Sequence, residues 1–188
     1  MNSLPFWDLH GRTMGLGSCV STIEGLLRLQ NARRPERPIT LYVVGNSQAP
    51  DLTADETLMI CDVILSLASP VQTIGMGFLS ATQSIVLAAG TGRRWVLPHS
   101  ILFLHEISFN APGNRPLGIN ACSLVQPAQE ASEQQFRKLM IKLNIPKYFS
   151  EVPRTLCASA AVEHGFADQV FKHHSTIVKK EVPNEHCR

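Results

Sequence analysis

Ile39-Thr40-Leu41-Tyr42-Val43-Val44, an apolar and β-branched run ahead of Gly45, has the length and composition of a buried strand. Its carboxyl-terminal neighbours decide the fold. Beyond a loop over 45–52 comes Thr53-Ala54-Asp55-Glu56, in which a hydroxyl three positions ahead of a glutamate makes a capping box and starts a helix. Pro70 ends that helix near Ser69, and 71–76 (VQTIGM) is a second apolar strand. Strand, loop, helix, strand is the rhythm of a βαβ unit.

The same rhythm extends both ways. Towards the amino terminus, an apolar stretch over 13–20 precedes Ser21-Thr22-Ile23-Glu24, another capping box, which predicts a helix with Ile23, Leu26 and Leu27 on its apolar face and Pro35 as its stop. Towards the carboxyl terminus, 77–90 reads as an apolar helix ending at Gly90, and 95–97 and 101–105 as strands separated by Pro98. The alternation gives an α/β fold with a mostly parallel sheet. A loop over 107–118 carries the turn signal Pro112-Gly113-Asn114. Residues 119–143 form a long helix-like stretch that Pro127 should kink or split. A last helix over 158–164 meets Gly165 where a C-cap glycine belongs, 167–171 returns as a strand, and 175–188 is a polar tail. The organisation expected is a short segment 1–11, one domain over 12–172 and a tail over 173–188.

A chain of 188 residues can bury a single core without staples. With 44% hydrophobic and 17% charged residues and a mean hydropathy of +0.03, it is globular and slightly apolar, which suggests buried interfaces. A net charge of +2, with basic pairs only at Arg33-Arg34, Arg93-Arg94 and Lys179-Lys180, argues against a nucleic-acid partner. No segment approaches the roughly 18 apolar residues of a membrane span, and 1–10 lack the pattern of a signal peptide, so a cytoplasmic location without membrane contact is expected. Cys19, Cys61, Cys122, Cys157 and Cys187 show no CxxC spacing, and the first four fall in apolar stretches, as reduced core thiols do. His173-His174 with His186 and Cys187 is a poor metal set, because adjacent histidines chelate one ion with difficulty. No metal and no cofactor is expected.

Leu87-Ala88-Ala89-Gly90, then Leu97-Pro98 and Ser100 leading into His105, resemble the nucleophile region and following strands of the ClpP peptidase family. Leu156-Cys157-Ala158 and Ala161-Val162-Glu163-His164-Gly165-Phe166-Ala167-Asp168 are similar to its carboxyl-terminal segment, and 39–44 to its buried strand. The resemblance spans most of 12–171. It implies the repeated ββα fold shared with the crotonases, a long handle helix between His105 and Tyr148, and seven-membered rings that stack. It also implies, as partners, copies of the chain itself or active ClpP-like subunits in a ring, and an AAA+ unfoldase.

Peptide hydrolysis on that scaffold needs a serine hydroxyl, a histidine base, an acid to orient it and two backbone N–H groups for the oxyanion. Aligned without gaps, the family's nucleophile falls on Ala81, its base on His105 and its acid on Phe149, flanked by Tyr148 and Ser150. Its Ser-Pro-Gly-Gly loop is replaced by Gly45-Asn46-Ser47-Gln48-Ala49-Pro50-Asp51, a stretch that should reshape or fill the site. The segment before Arg12 is shorter than the family's amino-terminal hairpin, and the interval from His105 to Phe149 is shortened and holds Pro127. Both weaken ring-on-ring stacking and leave side-to-side contacts untouched.

The resemblance therefore implies a non-proteolytic subunit with a structural or regulatory role in a ring. An alternative is a serine hydrolase or peptidase using a shifted Ser80–His105 dyad, with Glu106 or Glu151 as orienting acid. Against it, a one-residue shift at a helix entry turns a side chain by about 100°, and Ser80-Ala81-Thr82-Gln83 is itself a capping box. Phe78, Leu79 and Phe149 are expected to fill the former cleft. A crotonase-like binder of acyl thioesters is a third possibility, selected by no residue in particular.

Overall fold

A computed structural model describes residues 12–32, 37–45, 51–105, 107, 119–145 and 154–171, of which 119–129 are described as helical backbone only. The elements run β1 (Thr13–Gly15), α1 (Cys19–Gln30), β2 (Ile39–Gly45), α2 (Ala54–Ser66), β3 (Val71–Leu79), α3 (Ala81–Ala88), β4 (Arg94–Val96), β5 (Ile101–Leu104), α4 (Ile119–Lys142), β6 (Arg154–Cys157), α5 (Ala158–Glu163) and β7 (Gln169–Val170). The fold is α/β, as the sequence predicts. One sheet carries the order β1-β2-β3-β4-β7, all neighbours parallel, and β5 pairs parallel with the end of β3 and antiparallel with β6.

Alternation along the central strands separates two apolar faces. Ile39, Leu41 and Val43 of β2 and Val71 of β3 join the main core with Leu26, Ile60, Ile64, Ile85, Leu87 and Phe136 from the helices. On the other face Ile74, Trp95 and Phe171 form a smaller cluster lined by Tyr42 and Met76.

Helix α1 begins at Cys19, ahead of the predicted start. Ser18 is its N-cap, accepting from the Ser21 N–H at 3.4 Å, and the earlier start aligns Cys19, Thr22 and Leu26 on one buried face, leaving Leu27 exposed. The Thr53 capping box is formed in both directions, with Glu56 N–H to Thr53 Oγ1 at 3.2 Å and Thr53 N–H to Glu56 Oε2 at 2.9 Å. Helix α2 stops at Ser66 rather than Ser69 because Leu67 turns extended and Ser69 is held elsewhere, donating its N–H to Gln30 Oε1 and accepting from Arg12.

Strand β3 outlasts its predicted end. It follows β2 as far as the pair Gly45–Gly77, then turns to β5 through Phe78 and Leu79. Gly77 has a φ of +80°, and a Cβ on it would lie 2.5 Å from the Gly45 carbonyl oxygen, so the strand changes partner where a side chain has no room. Helix α4 is continuous through Pro127, neither split nor ended there. Proline removes one N–H and leaves one carbonyl without its helical donor, while Phe136, Leu139 and Met140 anchor the following turns in the core. Asn144 (φ +59°) ends α4 and Gly165 (φ +83°) ends α5, each with the next residue's N–H reaching back five positions, Ile145 to Met140 and Phe166 to Ala161, as in a Schellman motif. β6 is an element the sequence reading did not separate, and β7 is shorter than expected. The expected segments 1–11 and 173–188 and the turn at Pro112-Gly113-Asn114 lie outside the described residues.

Candidate functional site

Where β3 gives way to α3, Ser80 is the N-cap. Its Oγ accepts from the Gln83 N–H at 3.3 Å, and Gln83 Oε1 accepts from the Ser80 N–H at 3.1 Å, which is the capping box the sequence predicts. Ala81, at the inferred nucleophile position, is the first residue of α3, wholly buried and without a heteroatom. His105 leaves the end of β5, beside Phe103, whose ring lies 5.5 Å from the imidazole and 5.7 Å from that of Phe78. Because β3 and β5 pair through Phe78–Ile101 and Leu79–Leu102, the end of one strand and the end of the other open onto the same space.

Asp51 occupies that space. Its Oδ1 accepts from Ser80 Oγ at 2.6 Å, from the Leu52 N–H at 2.9 Å and from Thr82 Oγ1. Its Oδ2 lies 3.2 Å from His105 Nε2. Bonds of this kind, in which the acceptor is a carboxylate, are shorter and stronger than those between neutral groups. The Asp51 and His105 side chains are each about one-third exposed, 31% and 33%, so the cluster is reachable from solvent.

Ser80 and His105 are thus brought to one carboxylate, with Asp51 bridging them. In a serine triad the imidazole takes the hydroxyl proton at Nε2. Here Nε2 faces Asp51, and the Ser80 proton is already donated to the same carboxylate. The arrangement can hold an anion firmly. Proton transfer from Ser80 to His105 would require Asp51 to withdraw.

Phe149, Tyr148, Glu106 and Glu151 lie outside the described residues, as do His173, His174, His186 and Cys187. The expected filling by bulky apolar groups is corrected in part: Leu79 belongs to the buried core, and Phe78, 36% exposed, lines the space instead of closing it. The occupant is Asp51, which the sequence reading places at the end of the replaced loop without a role, and Thr82 enters that reading only as an interior position of the Ser80 capping box. Pro50-Asp51, two positions ahead of the capping Thr53 in a loop that keeps only Gly45 as a glycine, was the available signal.

Among the described residues no three His, Cys, Asp or Glu side chains form a metal-binding group, and no helix is long and apolar enough to cross a membrane. Cys19 and Cys61 are free and buried, and burial pushes the Cys61 thiol up. Cys157, expected in the core, is exposed, because β6 alternates and turns Leu156 inward; its thiol is lowered first by the Ser159 hydroxyl 3.1 Å away.

The Clp protease family model matches residues 17–174, most of the chain and every described element from α1 onward. The chain belongs to the Clp protease family. Similar relatives of this Clp-family chain include the ATP-dependent Clp protease proteolytic subunit 4, chloroplastic, of Arabidopsis thaliana, 27% identical over 94% of this chain and 61% of that protein. Proteolytic subunit 2 of Thermobifida fusca is 31% identical over 79% of this chain and 72% of its own length. Its counterpart in Cutibacterium acnes is 28% identical over 94% and 84%. The chain therefore spans less than two thirds of the Arabidopsis relative it matches. The α/β architecture with its parallel sheet is consistent with that family.

Proposed function

We propose that this chain is a Clp-family subunit that does not hydrolyse peptide bonds and serves as a structural or regulatory member of a ring-shaped assembly. The observation that carries the reading is the Asp51 carboxylate bonded to Ser80 on one oxygen and facing His105 on the other. Two sequence features support it: Ala81 stands at the inferred nucleophile position and Phe149 at that of the orienting acid. On this reading the residues inherited from the catalytic set are reduced to His105, whose imidazole now faces a carboxylate in place of a serine hydroxyl. One domain over 12–172 forms the body of the subunit, flanked by 1–11 and 173–188. The relatives' names describe proteolytic subunits of an ATP-dependent protease. By that likeness its partners are copies of itself or active subunits in a ring, and an AAA+ unfoldase, in the cytoplasm or, following the chloroplastic relative, in a plastid.

A fluorophosphonate, which labels activated serines, tests the reading by intact mass on wild type, on Ser80→Ala and on an active Clp protease. The expected result is an adduct on the control alone. An adduct on wild type that Ser80→Ala abolishes would overturn the proposal in favour of a Ser80–His105 hydrolase, in which Asp51 withdraws from between the two groups. Native mass of the untreated sample tests the assembly: a multi-subunit particle is expected, alone or on mixing with active subunits, and a monomer under both conditions at high concentration would sink it.

A further inference from the structure

We infer that Arg154 and His164 form an acid-sensitive latch, which holds the start of β6 in place while the His164 imidazole is uncharged and lets it go when that ring takes up a second proton. The inference goes beyond the proposed function and does not depend on it, since neither residue belongs to the Asp51 cluster.

The donors settle which nitrogen carries the proton. Arg154 Nη2 lies 2.8 Å from His164 Nε2, in a part-buried contact between residues ten positions apart. A guanidinium has five donors and no acceptor, and it stays charged in proteins. The imidazole is therefore the acceptor at Nε2 and carries its one proton at Nδ1. A second proton would occupy the position to which the arginine's hydrogen already points. The bond and the charged ring exclude each other, and protonation leaves two cations facing one another.

Both groups are brought to the contact by their elements. Alternation along β6 puts Arg154 on the inward face with Leu156, opposite Leu104 in the register, and turns Thr155 and Cys157 out to solvent. His164 is the C-cap of α5, its N–H donating to the carbonyls of Ala160 and Val162, with Gly165 following at a φ of +83°. Around the ring, among the described residues, Glu163 precedes it on α5 and is exposed, and Arg94 of β4 donates to the adjoining Gly165 carbonyl at 2.9 Å. The Arg94 charge is matched by Asp168, and Lys142 stands exposed near the end of α4. The cation that meets a protonated His164 is thus Arg154. β6 pairs with β5 alone among the described strands, and Arg154 stands opposite Leu104, the residue before His105. Release of Arg154 therefore frees the strand from the end nearest His105.

Two measurements on the full chain test the latch. In ring-nitrogen NMR at about pH 8, above the ordinary imidazole value of about 6.5, His164 is expected as the Nδ1–H tautomer, and a proton on Nε2 there would overturn the inference. Hydrogen exchange of 154–157, corrected for intrinsic rates, is expected to lose about ten-fold in protection between about pH 8 and about pH 5 in wild type. His164→Gln, whose amide oxygen accepts from Arg154 at either pH, should change less than about two-fold, and His164→Leu should already be poorly protected at the higher pH. His105→Gln removes the other histidine of the region and should keep the wild-type response. An equal loss in wild type and His164→Gln, full protection in His164→Leu, or disappearance of the response in His105→Gln would each overturn the latch. Should the His164 variants not fold, the tautomer and the comparison of wild type with His105→Gln still decide the question.

Discussion

Ser80 is both a helix cap and a donor to a carboxylate, and the two roles are separable. Replacing an N-cap serine by alanine typically costs about 1 kcal/mol. A bond to a charged acceptor contributes about 1.5–3 kcal/mol when shielded, but Asp51 is partly exposed, which brings the expected coupling nearer 1 kcal/mol. Ser80→Ala is therefore expected to lose about 1–2 kcal/mol in urea unfolding. A cycle with Asp51→Ala and the double variant should return about 0.5–1.5 kcal/mol of that as interaction between the two residues. A coupling indistinguishable from zero would mean that the carboxylate does not hold Ser80. The capping role was legible in the sequence because it follows from a four-residue pattern. Asp51 was not, since its partners Ser80, Thr82 and His105 stand 29, 31 and 54 positions further on, and only the folded sheet brings them together.

At the level of elements, local rules located what they could. The capping boxes at Thr53 and Ser80 and the glycine stop at Gly165 were readable because each is closed within a few residues. Where tertiary contacts competed, the local reading slipped: Ser18 displaced the later box because the earlier start buries Cys19, and the bond that Ser69 donates to Gln30 and the one it accepts from Arg12 drew it off the end of α2. Pro127 stayed helical under a rule that counts only the lost bond. The parting of β2 from β3 is likewise tertiary, and it gives a sharp contrast. A Cβ on Gly45 would meet the Phe78 carbonyl oxygen at 2.1 Å, a backbone atom that cannot rotate away, whereas a Cβ on Gly15 meets nothing within 4 Å. Gly45→Ala is expected to cost about 3 kcal/mol or more, at the upper end of overpacking, and to disturb the Asp51 cluster beyond it. Gly15→Ala should stay within about 0.5 kcal/mol. Thermal unfolding of the pair decides the point, and equal stability would mean that the close approach at Gly45 can relax.

Across the whole molecule, the segment most similar to the family's carboxyl-terminal pattern closes the sheet. Asp168 accepts from the Arg94 backbone N–H at 2.8 Å and from its guanidinium at 2.5 and 3.1 Å, and returns its own N–H to the Arg94 carbonyl at 2.9 Å. The same guanidinium donates to the carbonyls of Ala88 and Gly165, tying α3, β4 and the end of α5 together just before β7 joins the sheet. Burial alone would raise the Asp168 carboxyl, but the side-chain bond from Arg94, its backbone N–H and its charge outweigh that effect and hold it below the ordinary aspartate range. With the folded value depressed, the unfolded chain binds more protons than the folded one between the two values, so stability rises with pH across that interval. The contribution is complete above the ordinary aspartate value of about 3.9, and it is lost as pH falls through the folded value. The side chain is 39% exposed, so salt should shrink the effect. Asp168→Asn is therefore expected to melt below wild type at pH 7, with a gap that narrows as pH falls from about 4 towards 2, and narrows at neutral pH on going from low to high salt. A gap that stays constant over the whole pH range would mean that Asp168 acts through packing alone and that the charge on this closure contributes nothing.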